Sequence, residues 1–226
     1  MTNRIRAVIF DLDGTLLDTI NDIGNAVNTA LREIGVSPYS MAQYKYFVGD
    51  GVVELINRVL APHPDKRHLH GRTLERYLEE YAIHQYDLTR PYQGIEALLD
   101  ALTARGIGVN VLSNKPHHAT IAVIRHFFPT VPFQYIYGKM PEYKPKPDTK
   151  ALELMIANLQ LPKSQILYVG DTATDMITAK NGGLTAIGCT WGFRLQDEIE
   201  SAGSDFVVHH PQAILALIDE LDRKST

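Results

Sequence analysis

The sequence is poor in cysteine and in long apolar runs. Cys189 is the single cysteine among 226 residues, so no disulfide can form within the chain, which favours a reducing compartment. No apolar run reaches the roughly 20 residues that a membrane-spanning helix needs. The opening MTNRIRAVIF lacks the pattern of a signal peptide. We therefore expect a cytoplasmic protein with no membrane partner.

Positive charge is scarce as well. The chain has 22 Lys and Arg residues against 26 Asp and Glu, a formal net charge of −4, and this balance argues against a nucleic-acid partner. What remains is an ordinary globular composition, with 45% hydrophobic and 21% charged residues. The length suits one large domain or a core with a smaller insertion, and it leaves open whether the protein is a monomer or a homodimer.

From about residue 91 onward, apolar strand patterns alternate with amphipathic helix patterns. IGVNVLS, FQYIYG, QILYVG, LTAIGC and DFVVHH have the pattern of strands. Among the helical segments between them, we expect one to start at Pro116 and one to be capped by Asp148. The alternation predicts an α/β fold with a Rossmann-like parallel sheet core covered by helices on both faces.

Residues 18–89 break this alternation. DTINDIGNAVNTALREIGV, VVELINRVL and RTLERYLEEYAIHQY are helix candidates with no strong strand between them, and the stretch is too long for a connecting loop. We predict an inserted all-helical cap domain at 18–89, hinged near 17–19 and 89–92, on a core formed by 1–17 and 90–226.

Asp11 and Asp13 follow the apolar run AVIF at the predicted end of the first strand. Ligands bind open α/β sheets outside the carboxyl ends of the strands, where a bare carboxylate pair would repel itself. Mg²⁺ would relieve the repulsion, since it takes carboxylate and phosphate oxygens. One carboxylate could then be a nucleophile and the other a general acid and base. The plainer interpretation is an Asp-capped turn before Gly14.

Two further segments could bind phosphate. In VLSNK, Ser113 and Asn114 could donate hydrogen bonds to phosphate oxygens or simply cap the next helix. In YKPKPD, Lys144 and Lys146 alternate with stiffening prolines. Either lysine could neutralise a phosphoryl group, or both could lie in a solvated loop.

A fourth segment, ILYVGDTATDM, adds two carboxylates. Asp171 ends a predicted strand, and Asp175 follows one helical turn later. Asp171 could reach a metal while Asp175 orients a ligand or the lysine. The alternative is an acidic first turn that complements the helix dipole. If there were no shared site, the four structural interpretations would all have to be true at four separate strand ends. A shared site is therefore the better hypothesis.

Together these motifs resemble the haloacid dehalogenase superfamily of phosphohydrolases over essentially the whole chain. DLDGT is similar to its first motif, SN to its second, KPKP to its lysine motif and GDTATD to its acidic fourth motif. The resemblance implies that Asp11 is the nucleophile, forming an aspartyl-phosphate, and that Asp13 is the acid/base. It also implies that Ser113 and Asn114 bind the phosphate.

The same resemblance implies a metal site and a catalytic lysine. Mg²⁺ would sit on the Asp11 side chain, the Asp13 backbone carbonyl and Asp171, with Asp175 behind them. Lys144 is preferred over Lys146 as the neutralising lysine because Lys144 leads the KPxP pattern.

A finer similarity points to the phosphoglycolate-phosphatase-like group. It rests on DTINDIGNAVNTAL, VGDGVVELINRVL, PYQGI and TWGFR. In VGDG, the residues Gly49, Asp50 and Gly51 could bring backbone amides to an anionic substrate, or form a plain turn. Arg58 and Lys45 could contact a substrate carboxylate, although a solvated surface is the better expectation for both.

The resemblance therefore implies a Mg²⁺-dependent phosphatase acting on a small phosphorylated metabolite, with 2-phosphoglycolate as the first choice of substrate. Related phosphatases for pyrophosphate, nucleotides or phosphosugars, and phosphomutases, are the alternatives. The dehalogenating branch lacks the second aspartate, so Asp13 favours a phosphatase over a dehalogenase. A phospho-accepting switch of receiver type is less favoured, because Asp13 and a substrate-covering insertion suit turnover.

Overall fold

The structure is a computed structural model that describes residues 4–224. Its larger sheet has six strands in the order β5-β4-β1-β6-β7-β8, all paired in parallel. A separate antiparallel pair joins β2 to β3. The strands are β1 Ala7–Phe10, β2 Leu17–Asp18, β3 Arg90–Pro91, β4 Gly108–Pro116, β5 Tyr135–Lys139, β6 Ile166–Gly170, β7 Thr185–Cys189 and β8 Phe206–Val208.

Helices cover both faces of the six-stranded sheet, which confirms the predicted α/β class. Residues of β1 alternate between two buried clusters, because successive side chains of a strand point to opposite faces. The helices are α1 Ile20–Glu33, α2 Met41–Phe47, α3 Val52–Leu60, α4 His70–His84, α5 Ile95–Ala104, α6 His117–Phe127, α7 Lys150–Leu159, α8 Ala173–Asn181, α9 Gln196–Ser201 and α10 Ala213–Lys224. Helices α5, α6 and α10 pack on one face, and α7, α8 and α9 on the other.

Local details differ from the expectations. Helix α6 begins at His117, directly after Pro116. Helix α7 is capped at Thr149 rather than Asp148, although the Asp148 carboxylate accepts a hydrogen bond from the Lys150 amide. The short helices α2 and α9 were not predicted, because neither segment is long enough to show a clear helical period.

Helices α1 to α4 lie between β2 and β3 and share their own buried cluster. Asp22, near the start of α1, connects the beginning of this helical segment to its end. Its carboxylate accepts hydrogen bonds from the amides of Leu88 and Thr89 and from the Thr89 hydroxyl, at 2.7 to 3.1 Å. We continue to propose that residues 18–89 form an inserted helical cap domain. Residues 1–3 and 225–226 of the proposed core lie outside the described part of the chain.

Within residues 4–224, no helix has both the length and the apolar character needed to cross a membrane.

Candidate active site

The strand order brings three chain segments to one edge of the sheet. β1 lies between β4 and β6, so the residues at and just after the carboxyl ends of these three strands are neighbours. Carboxylate oxygens of Asp11, Asp171 and Asp175 lie within 4.8 Å of one another, and all three residues are buried. Gly14 makes this approach possible, because its φ is +97° and a β-carbon there would overlap the Asp171 carboxylate.

Lys146 supplies the positive charge in this cluster. Its ammonium donates hydrogen bonds of 2.7 Å to Asp11 Oδ1 and 2.7 Å to Asp175 Oδ1. Lys144 is exposed, two residues earlier in the loop. The preference for Lys144 is therefore corrected: the structure places Lys146 at the nucleophile candidate. Lys144 leads the KPxP pattern, but the packing of the loop brings Lys146 to Asp11 instead.

Asn114 holds the lysine segment in place. Its side-chain oxygen accepts a hydrogen bond from the Lys146 amide at 2.7 Å, and its Nδ2 donates to the carbonyls of Lys146 at 3.2 Å and Gly49 at 3.1 Å. Ser113 Oγ accepts from the Lys115 amide at 3.1 Å. Both Ser113 and Asn114 line the same small cavity as Asp11 and Asp13, and phosphate binding by these two residues stays a prediction.

Burial of the acidic cluster shifts its protonation equilibria. Loss of water raises the pKa of Asp11 well above its usual range; the Lys146 ammonium opposes this effect, and the charges of Asp175 and Asp171 add to it. Burial and Asp175 raise the pKa of Asp171 to about 7. Burial opposes the charge of Lys146, but Asp11 and Asp175 outweigh it and raise the lysine pKa. The site thus holds more negative charge than its own cation balances.

The donor set fits Mg²⁺, which prefers oxygen ligands. The Asp175 carboxylate already accepts four hydrogen bonds, from Lys146, Tyr168 and the amide and hydroxyl of Thr172. Asp175 is therefore a positioning group, and Asp11 and Asp171 are left as the carboxylates that could hold the ion. The Asp13 side chain is outside this cluster, and no described residue donates a hydrogen bond to its backbone carbonyl.

Asp13 instead pairs with Lys115, a residue for which the sequence motifs predict no role. The Lys115 ammonium lies 3.0 and 3.3 Å from the two Asp13 carboxylate oxygens and 4.5 Å from the centre of the Tyr81 ring in α4. Its side chain is only 4% exposed. The available signal was its place directly after SN at a strand end, but a lysine beside a helix start is common on protein surfaces.

The cavity beside Asp11 and Asp13 is small, about 40 Å³, which is room for a few water molecules. Ser113, Asn114 and Lys115 line it from the end of β4. The residues that line it from the helical segment are Ile23, Val48, Gly49, Gly51, Val52, Leu55 and Tyr77.

Gly49 and Gly51 line this cavity, whereas Asp50 does not. The Asp50 carboxylate accepts a hydrogen bond of 2.5 Å from the Thr174 hydroxyl and forms an ion pair with Arg58. These two bonds and the charges of Arg58 and Arg194 lower the pKa of Asp50, although burial opposes them. The Asp50 side chain therefore fastens the loop to α8, and substrate binding by the backbone amides of residues 49–51 stays a prediction.

Several known proteins are similar to this chain along most of its length. The family model for haloacid dehalogenase-like hydrolases matches residues 8–189. A phosphoglycolate phosphatase of Cereibacter sphaeroides is 38% identical over 192 residues, which cover 83% of this chain and 86% of that protein. One of Neisseria gonorrhoeae is 32% identical, over 84% of this chain and 81% of that protein. A crystal structure from Lactobacillus delbrueckii subsp. bulgaricus, 28% identical, covers 95% of this chain and 98% of its own with a TM-score of 0.90.

Proposed function

The chain belongs to the haloacid dehalogenase-like hydrolase family, and from that premise we propose that it is a Mg²⁺-dependent phosphatase that hydrolyses 2-phosphoglycolate to glycolate. The observation that carries the proposal is the meeting of Asp11, Asp171 and Lys146 at the end of β1, next to a small cavity that also reaches Asp13. This set offers a nucleophile, a metal site and a fixed positive charge for a phosphoryl group.

In the proposed reaction, Asp11 attacks the phosphorus atom through the carboxylate oxygen that does not accept the Lys146 hydrogen bond. The bond from phosphorus to the ester oxygen breaks, and the leaving alkoxide takes a proton from Asp13. Water then attacks the aspartyl-phosphate, gives its proton to Asp13, and releases phosphate and free Asp11.

The surrounding groups stabilise the charge that moves during these steps. Lys146 balances the Asp11 carboxylate and the phosphoryl oxygens, while Ser113 and Asn114 lie within the cavity to position the phosphate. Mg²⁺ held by Asp11, Asp171 and the Asp13 carbonyl would neutralise charge on the phosphoryl group when bound.

The substrate choice has two supports. Relatives with 38% and 32% identity are named phosphoglycolate phosphatases, and a cavity of about 40 Å³ suits a leaving group of few atoms. We also propose that the protein works in the cytoplasm, because its single cysteine favours a reducing compartment.

The test is phosphate release from a panel of 2-phosphoglycolate, pyrophosphate, nucleotides and hexose phosphates, with Mg²⁺ and with a chelator. We expect 2-phosphoglycolate to be hydrolysed fastest, the chelator to stop the reaction, and Asp11→Asn to be inactive while still folded. Isomerised sugar phosphate without phosphate release would instead indicate a mutase. A long-lived phosphorylated protein without turnover would indicate a phospho-accepting switch, and activity retained by Asp11→Asn would contradict the nucleophile assignment.

A further inference from the structure

The cavity beside Asp13 contains a lysine that the phosphoryl-transfer steps do not use. Lys115 follows Asn114 at the end of β4 and lines the cavity, and its side chain is only 4% exposed. Its ammonium donates hydrogen bonds to the acid/base candidate Asp13, whereas the ammonium of Lys146 donates to the nucleophile candidate Asp11. The two buried lysines therefore serve different carboxylates, on the leaving-group and the phosphoryl side.

The Lys115 ammonium has hydrogen-bonding capacity to spare. It carries three N–H donors, and both of its hydrogen bonds go to the one carboxylate of Asp13. The face of the Tyr81 ring, 4.5 Å away, covers another side of the ammonium with a cation–π contact. Neither contact requires all three donors, so an anion entering the cavity could accept one of them.

The side chains on the helical side of the cavity offer no positive charge to an anion. The side chains that reach it from the helical segment are apolar or phenolic, namely those of Ile23, Val48, Val52, Leu55 and Tyr77. A carboxylate buried against them without a partner would lose several kcal/mol of hydration. Within residues 4–224, Lys115 is the one cation among the residues that line this cavity.

The other cations of this region, namely Arg58, Lys146, Lys45 and Arg194, are not among the residues that line the cavity. Arg58 pairs with Asp50 and Glu54, and Lys146 is shared between Asp11 and Asp175. Lys45 is exposed. The two residues that the sequence suggested for a substrate carboxylate, Arg58 and Lys45, thus do not line the cavity.

We propose that Lys115 binds a carboxylate on the leaving group and thereby selects phosphate esters of small hydroxy acids. Asp13 must reach the ester oxygen in order to protonate it, and Lys115 is hydrogen-bonded to Asp13. In a two-carbon hydroxy acid the carboxylate is one carbon away from that oxygen, which brings it to the same ammonium. Lys115 is then a specificity-determining residue of the proposed phosphatase, and this inference rests on that function.

The test compares 2-phosphoglycolate with 2-hydroxyethyl phosphate, which replaces the carboxylate by a neutral hydroxymethyl group of similar size. We expect the wild type to prefer 2-phosphoglycolate in kcat/KM. Lys115→Met should reduce that preference by about 10- to 100-fold, the range for a hydrogen bond to a charged group. Lys115→Arg should keep part of the preference, and Lys45→Met, which removes an exposed lysine, should leave it unchanged.

A purely structural role for Lys115 gives a different pattern. If Lys115 only held Asp13, Lys115→Met would slow both substrates by the same factor, and the unchanged ratio would overturn the proposal. Calorimetry in an Asp11→Asn background adds a readout without turnover: adding Lys115→Met should weaken 2-phosphoglycolate binding and spare 2-hydroxyethyl phosphate. Equal weakening of both ligands would also overturn it. A wild type that hydrolyses neither compound would contradict the proposed 2-phosphoglycolate substrate, and this inference with it.

Discussion

At the residue scale, the centre of the site is the contact of Lys146 with two buried carboxylates. Its ammonium is 2.7 Å from an oxygen of Asp11 and 2.7 Å from an oxygen of Asp175. Removing one partner of a buried ion pair leaves the other charge uncompensated, which costs much more than the loss of an exposed pair. A neutral side chain at position 146 should therefore destabilise the protein, whereas the exposed Lys144 carries no such constraint.

Lys146→Met should lower kcat for 2-phosphoglycolate by at least roughly 100-fold, because a fixed donor to the reacting group is lost. It should also lower the melting temperature, since Asp11 and Asp175 lose their counter-charge. Lys144→Met is the matched control and should resemble the wild type in both measurements. A larger loss of activity in Lys144→Met than in Lys146→Met would restore the sequence-based preference for Lys144.

Asp13→Asn should affect poor leaving groups most, because a neutral amide cannot deliver the proton that the departing alkoxide needs. We expect kcat for alkyl phosphates to fall by roughly 100-fold or more, and kcat for p-nitrophenyl phosphate to fall much less, since nitrophenolate leaves without a proton. Steady-state kinetics with both substrates measures the difference. An equal fall for the two would contradict the acid role.

At the element scale, the loop between α2 and α3 forms one side of the cavity and is fastened to the core at several points. Asn114 Nδ2 donates to the Gly49 carbonyl at 3.1 Å, and Arg194 Nη2 donates to the Val48 carbonyl at 3.0 Å. Asp50 accepts from Thr174 at the start of α8. Since Gly49 and Gly51 line the cavity, these contacts decide how closely the loop approaches a bound substrate.

Thr174→Val should raise KM for 2-phosphoglycolate a few-fold with a smaller change in kcat, because it removes one loop contact and leaves the reacting groups in place. The effect is modest, since Asp50 keeps its ion pair with Arg58 and a single hydrogen bond contributes about 1 kcal/mol. Thr103→Val is the control, because that hydroxyl donates to the Leu99 carbonyl within its own helix. A fall in kcat with unchanged KM would show that the contact serves the chemistry instead.

At the scale of the whole molecule, the sheet gathers more negative charge at one edge than Lys146 balances, and this excess opposes folding when no metal ion is bound. Burial raises the pKa of Asp171 from 3.8 to about 7 and that of Asp11 well above 3.8. As pH rises, the unfolded chain therefore loses these protons before the folded protein does. By linkage, the contribution of these two groups to stability is greatest below about pH 4 and declines as pH rises towards about 7.

Thermal unfolding in chelator and in Mg²⁺, at pH 5 and at pH 8, tests this balance. A metal that binds only the folded protein stabilises it, so Mg²⁺ should raise the melting temperature more at pH 8, where the carboxylates are ionised, than at pH 5. In chelator, Asp171→Asn should lose less stability than the wild type between the two pH values. Equal Mg²⁺ effects at both pH values would argue against a metal site formed by these carboxylates.

Much of the architecture could be predicted from local patterns. Short apolar runs that alternate with amphipathic segments predicted the parallel sheet, and polar residues directly after the runs, such as Asp11, Ser113 and Asp171, predicted one crowded edge. The short helices α2 and α9 carry too few residues for a period to show. The roles of Asp50 and Lys115 have no local signature, because each depends on a partner far away in the chain.

The sequence alone determined the α/β class, the family and the positions of the carboxylates, because strand patterns and the residues at strand ends are local properties. Only the tertiary structure decided that Lys146 rather than Lys144 reaches Asp11, that Asp50 bonds Thr174, and that Lys115 lies beside Asp13. Each of these is a contact between side chains distant in sequence. Equivalent residue types compete for such contacts, and packing and burial choose among them.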